Sequence, residues 1–223
     1  MAWLIARKDL RIEWSSRVIT NQVVPFAGVT MVIFGFALDA NTDVLELVAP
    51  GLVWLATMFS LLLLVQRTFA VEADDGALDA MRVAGVDARG IFVGKAIGLA
   101  LQLLVLEVLL LFAAVVLYGE TVQLNGAVLL VTTMISATSG QAAVGTRYGG
   151  LAAGNNGRET LLPLLTLPAV APVLIGATRA VESALGTGVA ELSDGWQWVS
   201  LLTVFAIAFG VGGALAFGPL IDE

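Results

Sequence analysis

A single carboxylate interrupts the longest apolar span of this chain. Glu107 stands sixteen residues beyond Ile91, roughly 24 Å along the segment if it is a helix rising 1.5 Å per residue. A charged group at that depth costs about 3 kcal/mol on insertion scales, so Glu107 is expected to face the bundle interior, a wet cavity or a partner chain. Two uses are open to it: contact with a passing substrate or another subunit, or a local structural hydrogen bond. Gln102, five residues earlier, is expected to point elsewhere.

The other chemistry-bearing stretch runs from Arg67 to Lys95, RTFAVEADDGALDAMRVAGVDARGIFVGK, between apolar spans. Glu72, Asp74, Asp75 and Asp79 come first and Arg82 and Arg89 follow, while Ala77, Leu78, Met81, Val83 and Ala84 recur at mostly helical steps. Acid at a helix start suits the macrodipole, Asp74 or Asp75 can cap the first backbone donors, and Gly85 supplies a C-terminal stop. The expectation is a short amphipathic helix ending near Ala84 and lying along the membrane. Its stripe suits docking of a soluble ATPase, through Glu72, Asp74, Asp75, Gly76, Leu78, Met81, Arg82 and Lys95. The plainer reading is a solvated helix covering the base of the bundle.

The chain has no cysteine and no histidine. That removes disulfides, thiolate chemistry and the commonest haem and zinc ligand, leaving Met31, Met58, Met134, Tyr118 and Tyr148 as packing or interface residues. No metal site is expected, and no haem site made by this chain alone. An intramembrane enzyme would need a convergent set of catalytic groups, and the buried ionisable inventory is expected to be close to Glu107 alone. A phosphate-cradling loop is missing too: Gly94-Lys95 is followed by Ala96, and the glycine-rich GTRYGGLAAGNNG from Gly145 to Gly157 has no lysine. ATP hydrolysis is therefore expected on a separate polypeptide. The glycine-rich stretch reads as a flexible turn, with Arg147 and Arg158 as a second contact for the ATPase or for lipid headgroups in the alternative reading. A net charge of −7 does not suggest a nucleic-acid partner.

What must position these groups is an all-α membrane bundle. Apolar residues make up 58% and charged residues 13% of the chain, far from a soluble balance. Six spans are expected, approximately Val23–Leu38, Gly51–Val65, Ile91–Tyr118, Gly126–Val144, Leu161–Ala177 and Trp198–Phe217, in one transmembrane domain over residues 1–223. Arg7, Lys8, Arg11, Arg17, Arg67, Arg82, Arg89, Lys95, Arg147 and Arg158 fall on one side and only Arg179 on the other, which places both termini in the cytoplasm. Residues 1–21 read as an interfacial amphipathic helix with Trp3, Ala6, Leu10 and Trp14 near one face; no small-x-small cleavage site follows, so span one is expected to be retained. Residues 67–90 form the cytoplasmic coupling loop. Gly90, Gly94 and Gly98 recur every four residues and suit close helix packing. Pro163, Pro168 and Pro172 each remove a backbone donor, so span five should be kinked or broken, either as a conformational joint or as a re-entrant shape. Gly176–Gly195 reads as an external loop ending at Trp196 and Trp198.

Ala49-Pro50-Gly51-Leu52-Val53-Trp54, the acidic Asp74-Asp75-Gly76-Ala77-Leu78, Gly94-Lys95 and Leu162-Pro163-Leu164-Leu165-Thr166-Leu167-Pro168 with Pro172 appear in order along the chain. In that combination, and over nearly its full length, the chain resembles the haem exporter B family, the membrane subunit of the ATP-binding-cassette complex of cytochrome c maturation. The resemblance implies a six-helix permease of the inner membrane that dimerises and binds two copies of a separate ATPase. It also implies haem-handling membrane subunits and a haem chaperone as partners. The work of ATP hydrolysis would reach haem export or release of a haem-loaded chaperone, with any haem held by the partners. An exporter-type permease for a drug, lipid or polysaccharide is the alternative, because loop and topology suit it equally.

Overall fold

A computed structural model of the chain describes residues 1–17, 19–39, 41–74, 76, 80, 83–118, 125–153, 158–187 and 191–222. Among them the structure is helical throughout: α1 (Ala2–Ser16), a π-helical turn (Ile19–Val23) leading into α2 (Val24–Ala37), α3 (Thr42–Asp74), α4 (Ala88–Tyr118), α5 (Ala127–Ala153), α6 (Arg158–Leu185) and α7 (Leu192–Asp222). Five segments, Asp43–Ala70, Ala88–Leu117, Ala127–Ala152, Thr160–Leu185 and Leu192–Gly218, are long and apolar enough to cross a membrane. The first expected span is shorter: α2 has 14 residues, about 21 Å of helix against a hydrocarbon core of about 30 Å, and the π turn extends it at one end.

The helices outrun the apolar windows that announce them. Span two, expected to open at Gly51, begins at Thr42, where the Asn41 side-chain oxygen accepts from the backbone N–H of Val44 (3.3 Å), and Pro50 sits inside the helix. At 33 residues α3 is about 50 Å long, so its last turns stand clear of the hydrocarbon. The turn expected across Gly145–Gly157 is helix as far as Ala153. Its glycines serve close approach instead: a Cβ on Gly149 would lie 2.5 Å from the Phe69 ring of α3, and one on Gly150 2.5 Å from Phe217 of α7. The external loop expected over Gly176–Gly195 is likewise mostly helix, because α6 continues to Leu185 and stops at Gly186 (φ 72), where the N–H of Thr187 reaches back to the Glu182 carbonyl (3.0 Å). The three prolines of span five do not interrupt it; one helix, Arg158–Leu185, carries them all.

At the centre stands α5, packed on α3, α4, α6 and α7. Its small side chains let four neighbours approach, and the core is built from Trp54, Leu61, Leu64, Leu103, Leu106, Leu129 and Leu162 across these helices. By contrast α7 exposes Leu201, Val204, Ile207, Val211 and Leu215, and α2 exposes Val29, Ile33 and Phe36. Exposed apolar faces of this extent are what hydrocarbon solvates in a membrane protein. The chain is a polytopic, all-helical membrane protein.

Candidate functional site

Two places carry the candidate residues. The first is the end of the bundle where α1, the last turns of α3 and the first turns of α4 meet. Glu72 and Asp74 lie on the end of α3, while Asp75, Leu78, Met81 and Arg82 fall outside the described residues, and with them most of the expected amphipathic helix. Its two ends are described. The Ala80 N–H bonds the Gly76 carbonyl (3.0 Å), the Ala84 N–H bonds the Ala80 carbonyl (3.0 Å), and Gly76 and Gly85 take left-handed φ of 61° and 70°. A left-handed glycine just past Ala84 is what ends a helix there. Val83 is 91% exposed.

Lys95 is not on that surface. Its side chain is 1% exposed, its Nζ lies 3.8 Å from Asp9 Oδ2 on α1, and it stands 4.7 Å from the centre of the Phe69 ring on α3. Asp9 also receives Lys8, whose Nζ is 3.1 Å from Oδ1. A lysine expected to meet the ATPase directly thus ties three helices together, because burying its ammonium requires an opposite charge and a ring face close by. Asp9 was not singled out in sequence; it sits among basic residues and reads as part of a solvated face.

The glycines of α4 explain how α1 comes so near. A Cβ on Gly94 would lie 2.6 Å from the Ala2 carbonyl oxygen and 2.7 Å from Ile5 Cβ, and Gly98 faces Ala6 and Asp9 at 3.5 to 3.7 Å. The small-residue stripe therefore packs against the N-terminal helix. The face of α1 that docks is Ile5, Ala6 and Asp9, all buried, whereas Trp3 (61% exposed) and Trp14 (88%) point away from the bundle. Ala6 and the two tryptophans, expected on one face, are thus divided between the bundle and the outside.

The second place is the bundle interior, toward the ends where α3 begins and α6 finishes. Glu107 on α4 is 1% exposed and accepts a hydrogen bond at Oε1 from the Thr138 hydroxyl of α5 (2.5 Å). Its Oε2 has no hydrogen-bond partner among the described residues, nor has the indole Nε1 of Trp54 on α3. Both residues line a cavity of about 20 Å³ between α3, α4, α5 and α6, whose other walls are apolar. Gln102 is buried as well, and the buried charges extend beyond Glu107 to Lys95 and Asp9. Thr138 and Gln141, both fully buried, were not singled out; two polar side chains one turn apart in an apolar span were the available signal. Pro163 is half-buried and Pro168 and Pro172 are exposed, away from this cavity.

A family model described as CcmB protein matches residues 1–219. The chain belongs to the CcmB family. The heme exporter protein B of Paracoccus denitrificans is 31% identical over 198 residues, covering 84% of this chain and 83% of that protein. Those of Pseudomonas aeruginosa (27% over 214 residues, 92% and 89% covered) and Rhodobacter capsulatus (29% over 197 residues, 84% of each) are similar along the same length. A match from end to end takes in both the α1/α3/α4 corner and the Glu107 cavity, so both lie within the CcmB architecture.

Proposed function

We propose that this CcmB-family chain is the membrane permease subunit of an ATP-binding-cassette complex in cytochrome c biogenesis, acting in haem export or in release of a haem-loaded chaperone. The observation that carries the reading is the family match across residues 1–219, joined by relatives named heme exporter protein B. No observation favours a drug, lipid or polysaccharide substrate.

In this reading the chain is non-catalytic and ATP is hydrolysed on a separate subunit that docks on Glu72 to Ala84. Two copies of the chain, haem-handling membrane subunits and the chaperone complete the assembly, and haem is held by those partners. The absence of histidine and cysteine supports that division of labour. The basic residues gathered around α1, the 67–95 stretch and Arg147 support an inner-membrane location with both termini cytoplasmic. The exposed Val83 supports an apolar docking stripe. Lys95 takes a different part from contact: residues 75–87 join α3 to α4, and Phe69 and Lys95, one on each helix, touch. A push on the loop therefore enters both helices where they are tied to α1.

Leu78→Asp tests the docking stripe, since a charge there would have to be buried in the docked interface. The variant should insert into the membrane normally and fail to co-purify the ATPase. Unchanged co-purification would reject the stripe as the contact.

A further inference from the structure

We propose that Glu107 and the cavity beside it form an intramembrane site that binds one water molecule and exchanges a proton with it. The inference goes beyond the transport reading and does not depend on which substrate the complex moves. Oε1 is occupied by the Thr138 hydroxyl, whereas Oε2 is buried without a hydrogen-bond partner among the described residues. The same holds for the indole N–H of Trp54, which lines the same cavity. A buried acceptor and a buried donor left unpartnered on residues that line one cavity are an unfavourable pair unless something bridges them. The space, about 20 Å³, holds about one water, and a water needs two or more polar partners to stay. The other walls, including Leu111, Met134 and Val181, offer none.

The proton chemistry balances simply. A hydronium reaching the cavity gives its proton to Oε2 and remains as the bridging water, and the reverse step returns it. No second titratable side chain lines the cavity among the described residues: α3 presents Trp54, α5 presents Leu130 and Met134, and on α6 the residue after Val181 is Glu182, already ion-paired with Arg179 (2.9 Å). Gln141, three residues past Thr138, is buried with both amide atoms unpartnered among the described residues and continues the polar file along α5. The cavity lies toward the ends where α3 begins and α6 finishes, near Ala49 and Leu185.

Infrared difference spectroscopy of the full chain in lipid nanodiscs, recorded across pH in H2O and D2O, tests this. The expected result is a carboxylic-acid carbonyl band whose amplitude follows pH, which shifts in D2O and is lost in Glu107→Gln. Thr138→Val should keep the band and move it, because Oε1 loses its donor. A band that survives Glu107→Gln, an amplitude independent of pH, or no D2O shift would overturn the proposal. Should Glu107→Gln not fold, an unmoved band in Thr138→Val would overturn it equally.

Discussion

Among the described residues ionisable groups are buried in two places, and the two solve the cost differently. At the α1/α3/α4 corner Lys95 is met by an opposite charge, Asp9, and by the Phe69 ring, and Gly94 removes the space between helices. In the bundle interior Glu107 is met by one hydroxyl, a cavity and, among the described residues, no cation. The first arrangement is closed and suits a joint that must hold while force crosses it. The second leaves a carboxylate oxygen without a partner among the described residues beside a small cavity, which suits a group that exchanges something small.

The contrast can be broken at several points. The largest effect is expected at Lys95: Lys95→Met leaves Asp9 buried beside one lysine fewer and should cost about 4 kcal/mol of stability. Adding Asp9→Asn should recover much of that, measured by thermal unfolding in detergent; a double variant as unstable as the single would remove the ion pair from the account. Next comes Gly94→Val, which drives a branched side chain into Ala2 and Ile5 and should cost about 2 kcal/mol. Proteolysis should then cut within α1, and an α1 that stays protected would mean the close approach is relaxed in the membrane. Thr138→Val, removing the donor to Glu107, should cost about 1 kcal/mol, since interhelical hydrogen bonds in membranes are worth little more. Smallest is Glu107→Gln, which keeps an oxygen for Thr138 and should change stability by less than about 1 kcal/mol. A large loss there would make Glu107 a structural anchor like Lys95 and dissolve the distinction.

The bundle was legible in sequence because apolar runs of this length have few other uses, and Glu107 was legible because a lone carboxylate in such a run has nowhere to go but inward. Helix ends were not. Gly145, Gly149 and Gly150 have the composition of a turn, and only their neighbours reveal the close approach they permit, to Leu61 and Val65 at Gly145 and to the Phe69 and Phe217 rings at Gly149 and Gly150. The proline-rich α6 was legible in part: its three prolines suggested a kinked or broken span, and it is one helix from Arg158 to Leu185 and not a broken one. Lys95 read as surface because its partners, Asp9 and Phe69, lie 86 and 26 residues away in the sequence, a separation no periodicity spans. Thr138 was hidden for the same reason: its meaning depends on the register of α5 against α4.

The central claim is that this chain passes work from a docked ATPase to a haem-handling assembly. Affinity purification of the tagged chain from its native membrane, with identification of co-purified proteins and the Soret absorbance of the eluate, tests it most directly. The account predicts a nucleotide-binding ATPase together with haem-handling subunits, and a Soret band that disappears when those subunits are removed. Recovery of no ATPase, or a Soret band that stays with the chain alone, would contradict it.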